Sequence, residues 1–226
     1  MKALATQPNL VEQVTQAVLD EISAGRLAPG DRVIQGQVAQ ALGVSRQPVQ
    51  QALLLLRNQG VLHDAPGRGL IVAPLDATRV RHMYAMRAVL EGLAARRAAE
   101  CNAERAARQG PALIEAGRRA VASGSFTKMI AADTRFHEFL YALSGNELVA
   151  PALATHLTYT QRVMGEVLVG DEKPAAIWDQ HARILAAVSA GDGDGAEALA
   201  RQHITAASEF MVGQLQGGTG EVAAKA

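Results

Sequence analysis

The stretch QGQVAQALGVSRQPVQQALLLLRNQGVLHDAPGRGLIVAP, residues 35–74, decides the fold of the first third of the chain. Gln35 to Leu42 carries a helical pattern that stops at Gly43, a residue suited to closing a helix. A second helix begins at Ser45, a good N-cap, and runs to Gln59 before Gly60. Pro48 falls in its first turn, where a missing N–H does little harm. Val49, Leu53 and Leu56 recur at helical spacing and give this helix a buried side. Beyond Gly60 the period changes. VLHDA and LIVA are short extended runs around PGRG, the pattern of a small β-hairpin. Upstream, NLVEQVTQAVLDEISAG places Leu10, Val14, Val18 and Ile22 on one helical face. Asn9 can cap that helix, with Glu12 three residues on as in a capping box. Gly25 ends it, and LAPGD is a turn.

Helix, short turn, helix and hairpin make a winged helix-turn-helix. In that arrangement the second helix of the pair enters the major groove of DNA. Its first residues must then be long hydrogen-bonding side chains. Ser45, Arg46, Gln47 and Gln50 hold those positions. Gly67 and Gly69 permit a tight wing tip, and Arg68 between them can reach a phosphate or the minor groove. Charge adds little. Residues 1–74 hold six basic side chains (Lys2, Arg26, Arg32, Arg46, Arg57, Arg68) against five acids (Glu12, Asp20, Glu21, Asp31, Asp64). On charge alone, a small α/β cap with an ordinary polar surface would look the same.

The whole chain of 226 residues has room for two modest domains. Its formal net charge is zero, so nothing global advertises a nucleic acid or a membrane. Aromatic residues make up 4%, and alanine is abundant, which favours helices over sheets. Cys101 stands alone, so no disulfide can form within the chain, and a reducing compartment fits. The opening MKALATQPNLVEQV lacks the apolar core of a signal peptide. No run is long and apolar enough for a membrane span. A cytoplasmic protein without a membrane partner is expected.

From Asp76 onward only helical signals occur, over 76–100, 103–123, 126–143, 146–169, 174–190 and 194–214. Gly110 and Pro111 are expected to kink or split the second of these. The fold class is therefore mainly α: a winged helix-turn-helix at 9–74, then an all-α antiparallel helical bundle at 76–214. Residues 215–226 read as a flexible tail.

Four polar residues interrupt apolar helical stripes. Asp133 and His137 lie one turn apart on the face of Phe126, Ile130 and Leu140. His181 lies on the stripe of Ile177, Trp178, Ile184, Leu185 and Val188. His203 lies with Leu199, Ala206, Ala207 and Phe210. Burying a carboxylate and three imidazoles is costly unless they are paired or coordinated. One divalent metal ion would satisfy all four, and three nitrogens with one oxygen suit zinc, nickel or a similar ion. Equally, each histidine taken singly reads as a hydrogen-bonded core residue, and an i, i+4 Asp–His pair as a helix contact.

RLAPGDRV, followed by VAQALGVSRQPVQQALLLLRNQGVL and GRGLIV, resembles the GntR family of transcription regulators over residues 9–74. The resemblance implies DNA contacts by Arg46 and Gln47 in the recognition helix and by Arg68 in the wing. Two positions depart from the family. Gln50, and often Gly36, stand where it has a basic residue. Gln can pair with adenine but cannot neutralise a phosphate, so weaker non-specific affinity and a shallower salt slope are expected. Residues 76–214 resemble the FCD effector domain of the FadR subfamily through MRAVLEGLAARRAA, DTRFHEFLYALSGNELV, DQHARILAAVSAGD and His203. Many members bind a metal through an Asp and three His in this order, which implies Asp133, His137, His181 and His203. Zinc is the first expectation, with nickel or another transition metal as the alternative. Arg87 matches an arginine that faces the effector cavity in the family, although a surface salt bridge to Glu91 would also explain it. Arg162 is assigned to the same cavity with nothing local to decide it.

Together these imply a ligand-responsive repressor rather than an enzyme. One winged helix touches too few base pairs for specificity, so a homodimer on a near-palindromic double-stranded operator is expected. A cation and Arg87 in one cavity select an anion, so the effector is a small organic acid. The alternatives are a regulator whose metal is purely structural, and a metallohydrolase, for which no general base stands at motif spacing.

Overall fold

The computed structural model describes residues 9–167 and 174–223. They form two compact units that divide between Pro74 and Leu75.

In the first unit, α1 (Leu10–Ser23) is capped by Asn9, whose side chain accepts from the Val11 N–H. Glu12 accepts from the Asn9 side chain instead of reaching the backbone, so the capping box is only half formed. α2 (Gln35–Leu42) ends on Gly43 at φ 65, a left-handed value that favours glycine. Val44 and Ser45 complete the connection to α3 (Arg46–Asn58). Ser45 is the N-cap of α3 but its side chain makes no capping bond there. The α2–α3 corner is held instead by Gln35 Nε2, which donates to the Arg46 carbonyl at 2.8 Å. β2 (Leu62–Asp64) and β3 (Leu70–Val72) are the expected hairpin. A third strand, β1 (Arg32–Val33), was not expected, being too short for any alternation to show. It pairs with β3 in register Arg32↔Ile71, so β3 is central in an antiparallel sheet of order β1-β3-β2. Val14 and Val18 of α1, Val49, Leu53 and Leu56 of α3, and Val61, Leu62 and Val72 form one core.

The second unit is built on α4 (Ala77–Ala122), against which α5 (Phe126–Leu143), α7 (Pro174–Ser189) and α8 (Gly193–Ala223) all pack. α6 (Val149–Val167) lies against α5 and α4. α4 joins the two helices expected at 76–100 and 103–123. Its one non-helical residue is Asn102, at φ −141 and ψ 30. The Asn102 side chain donates to the Leu143 carbonyl at the end of α5, which fixes the break there. The expected kink at Gly110 and Pro111 is absent: the backbone stays helical through both. That half of α4 offers α7 a face of small residues, and packing keeps it helical despite the lost hydrogen bond. α8 also runs on to Ala223, through most of the stretch expected as a tail.

The core joins Phe136 to Trp178, Ile184, Leu185 and Val188 over the alanines of α4. Small residues make this possible. Gly110 lies against Leu185 and Gly117 against the Trp178 ring, each so closely that a Cβ would overlap the facing side chain. Among the described residues no helix is long and apolar enough to cross a membrane.

Gly117→Ala tests this packing. Helix propensity alone would favour alanine by up to about 1 kcal/mol. Overpacking against Trp178 should instead destabilise the chain by about 1–3 kcal/mol, seen as a lower urea midpoint. A variant as stable as the parent or more so would show that the contact yields freely.

Candidate metal centre and nucleic-acid interface

Three helices supply the four residues. Asp133 and His137 are one turn apart on α5 and so share a face. His181 comes from α7 and His203 from α8. All three histidines are buried, with one ring nitrogen of each within 4.8 Å of the others. His181 Nε2 is 3.2 Å from His203 Nε2. Asp133 Oδ1 is 3.5 Å from His181 Nε2 and 3.8 Å from His137 Nε2. Atoms about 2.1 Å from one ion in a tetrahedral arrangement lie roughly 3.4 Å apart, so these spacings fit one cation. The sequence-predicted set is thus brought together.

The outward nitrogens tell the same story. His203 Nδ1 is 2.7 Å from Gln180 Oε1, which fixes a proton on Nδ1 and leaves Nε2 a bare lone pair facing the cluster. His137 Nδ1 lies 2.5 Å from Glu91 Oε2, an ion-pair contact outside hydrogen-bond angles. His181 is stacked on Phe136, and its Nδ1 has no hydrogen-bond partner. Neither tautomer of His181 satisfies both of its nitrogens from the protein. With the proton on Nε2 the ring donates to His203 Nε2 and leaves Nδ1 bare; with it on Nδ1, two lone pairs face each other across 3.2 Å. A cation among the three Nε2 atoms removes that repulsion, so the donor set fits a metal. An outer partner on a ligating histidine sets its tautomer and orientation, the role open to Gln180 and Glu91.

Glu91 was missed as a site residue. It also binds Arg87, whose Nε and Nη2 reach Glu91 Oε1 at 2.9 and 2.8 Å. The expected i, i+4 pair is therefore present, but buried: Arg87 is 8% and Glu91 3% exposed. Arg87 also lies over the Tyr84 ring, 4.8 Å from its centroid. Burial opposes the Glu91 charge, but His137 and Arg87 beside it hold its carboxyl well below the usual range. Burial likewise opposes charge on His137, yet Glu91 and Asp133 leave its pKa raised. Burial pushes the Asp133 carboxyl up. Burial, with His203 and His137 nearby, takes His181 well below the histidine range. Burial and His137 lower His203 to about 3. His181 and His203 are thus neutral, as metal ligands must be.

Two cavities adjoin this cluster and share Arg87, Asp133, His137 and Met164. One, of about 310 Å³, extends along α5 and α6 past Thr134, Gln161 and Leu157. The other, of about 370 Å³, extends along α7 and α8 past Ile177, Ala207 and Phe210. Arg87 therefore faces both. Arg162 lines neither. The phase of α6 turns Thr160, Gln161 and Met164 to the first cavity, while buried Arg162 bonds Glu166 on its own helix at 2.9 Å.

In the first unit, Ser45, Arg46, Gln47 and Gln50 are all exposed over the start of α3. Arg68 is exposed at the wing tip between Gly67 and Gly69, which hold φ of 92 and 97. Arg32, which sequence reasoning passed over, braces that tip by donating to the carbonyls of Arg68 at 2.9 Å and Pro66 at 3.4 Å. Arg57 pairs with Asp64 at 2.8 Å and ties the end of α3 to β2. The groove between α3 and the wing is lined by Arg32, Gln50, Arg57 and Arg68.

Comparison with known proteins agrees with both units. Residues 10–72 match the model of bacterial regulatory proteins of the gntR family, and residues 82–206 match that of the FCD domain. The chain is 27% identical over 206 residues to the HTH-type transcriptional repressor RspR of Escherichia coli (strain K12), covering 91% of this chain and 90% of that one. It is 30% identical over 181 residues to an HTH-type transcriptional regulator of Streptomyces ambofaciens, covering 80% of this chain and 75% of that one. Its fold is similar to that of E. coli McbR/YncC, with a TM-score of 0.76 at 22% identity over 92% of this chain and 99% of that one. The protein belongs to the GntR family and carries an FCD domain, which makes it a DNA-binding transcriptional regulator and not an enzyme.

Proposed function

We propose that the protein is a homodimeric cytoplasmic repressor whose affinity for a near-palindromic operator is set by a small organic acid. The acid binds in the FCD domain beside a divalent metal, zinc first, held by Asp133, His137, His181 and His203. The observation that carries this reading is the convergence of three buried imidazoles on one point next to two cavities. When bound, the cation supplies the charge that makes the cavity select anions. Arg87 supplies donors to a carboxylate from the cavity wall. Because both cavities reach Asp133 and His137, the ligand set is open on two sides, which favours a binding role over a sealed structural metal. Ser45, Arg46, Gln47, Gln50 and Arg68 contact the operator, with Arg32 holding Arg68 in place. The name of the repressor RspR supports the sign of regulation. α4 carries Arg87 and Glu91 and starts three residues after Pro74, so it is the element that transmits the acid's arrival. The acid must bind one DNA-competent state better than another, since equal affinity shifts nothing.

Two experiments test this. In a selection of genomic fragments at low salt, the protein should enrich one near-palindrome. Arg46→Ala should lose that preference, by about 1–3 kcal/mol per half-site, with its melting unchanged. No enrichment by the parent protein would refute operator binding.

The metal should be lost on acidification. The raised pKa of His137 keeps a proton on it at higher pH than on an ordinary histidine, and that proton competes with the cation. Zinc affinity should therefore begin to fall above pH ~6.5. Glu91→Gln removes both the competing effect and the orienting partner. At about pH 8.5, above the histidine range, it should weaken zinc roughly 10–100-fold, while the acid limb moves to lower pH. Unchanged affinity and an unchanged limb would remove Glu91 from the site. No zinc bound by the parent protein would remove the metal.

A further inference from the structure

The two cavities differ in a way that narrows the ligand. Building on the acid-sensing reading above, we infer that the effector is a monocarboxylate with an apolar body, lodged in the cavity between α7 and α8. The charged groups of that cavity, Arg87, Asp133 and His137, lie at the metal cluster it shares with the other lobe. Going along α8 from His203, its lining turns to Ile204, Ala207, Phe210 and Met211, with Ile177 contributed by α7. Seven residues of helix from His203 to Phe210 span about 10 Å. The lobe is thus polar at one end and apolar along its length, the shape of a carboxylate head with a hydrocarbon or aryl body.

The α5–α6 lobe is mixed along its length. Thr134, Glu138, Thr160 and Gln161 line it together with Leu153, Leu157 and Met164, and it reaches exposed Pro151 and Ala154. A hydroxylated or second carboxylate arm could be satisfied there, but not against Phe210 and Met211, where each buried hydroxyl would lack a partner. Glu138, a further negative charge, also disfavours a dicarboxylate on that side. At about 370 Å³ the apolar lobe is at the small end of ligand pockets. A body of about six to ten carbons is therefore the size it takes. Met164 and Met211 are flexible enough to accept a straight or a ring-bearing chain.

Calorimetry on the zinc-loaded full-length protein tests this with acetate, butyrate, hexanoate, octanoate and phenylacetate, against lactate, citrate and gluconate. Each added methylene up to octanoate should tighten binding by about four-fold. Octanoate and phenylacetate should bind at least about ten-fold more tightly than the hydroxy acids and citrate. Ala207→Phe fills the lobe and should erase the chain-length dependence while leaving acetate binding in place. Phe210→Ala, which only removes bulk, should weaken octanoate and spare acetate, and serves if the first variant does not fold. If citrate, lactate or gluconate binds most tightly, or if the methylene series is flat, the apolar-body inference is overturned and acid sensing stands. If no acid binds at all, acid sensing itself fails.

Discussion

The FCD unit depends on keeping a charged cluster satisfied inside a bundle of apolar helices. Arg87, Glu91, His137, His181 and His203 are buried within reach of one another. Isolated, each would be expensive to remove from water. They are affordable together because Glu91 sits between Arg87 and His137 and answers both. Removing one member of such a chain strands the others, which costs more than the pair itself contributes. The inward Nε2 atoms of His181 and His203 have only each other, 3.2 Å apart, and that is where a cation fits.

Bringing five such groups together requires helices that come close. The alanines of α4, with Gly110 and Gly117, let Leu185 and Trp178 of α7 approach its backbone. α7 thereby carries His181 and Gln180 to the cluster, and α8 brings His203 beside them. The small residues of α4 and the buried histidines are two parts of one arrangement: the close approach of α7 that the first permit brings His181 to the second. In the DNA-binding unit the same economy appears at smaller scale. A two-residue strand places Arg32 where its guanidinium spans the wing-tip carbonyls, so a tip with two glycines is held in one shape.

Much of this was legible in the sequence. Asp133, His137, His181 and His203 stood out because a 3.6-residue period puts them on stripes that are otherwise apolar. The α5 boundaries at Phe126 and Leu143 follow from Ser125 and from the Ser144 and Gly145 turn. The recognition helix was legible from Gly43, Ser45 and the Val49–Leu53–Leu56 stripe. Glu91 was not, because α4 is buried around much of its circumference and no single stripe separates an inward acid from an outward one. Gln180 acquires meaning only when α7 meets α8. Arg162 was placed at the cavity with nothing local to decide it, and one residue of helical phase, about 100°, separates it from Gln161, which lines it. Pro111 pointed to a break that packing suppresses, while the break occurs at Asn102, whose side chain has a partner only in the folded unit.

Whether one cation joins these helices is read by anomalous diffraction at the zinc edge from crystals of the zinc-loaded protein. A single peak per chain is expected within about 2.0–2.2 Å of the Nε2 atoms of His137, His181 and His203 and of the Asp133 carboxylate. A folded chain with no peak there, its three histidines bonded only to one another and to Glu91 and Gln180, would contradict a shared cation.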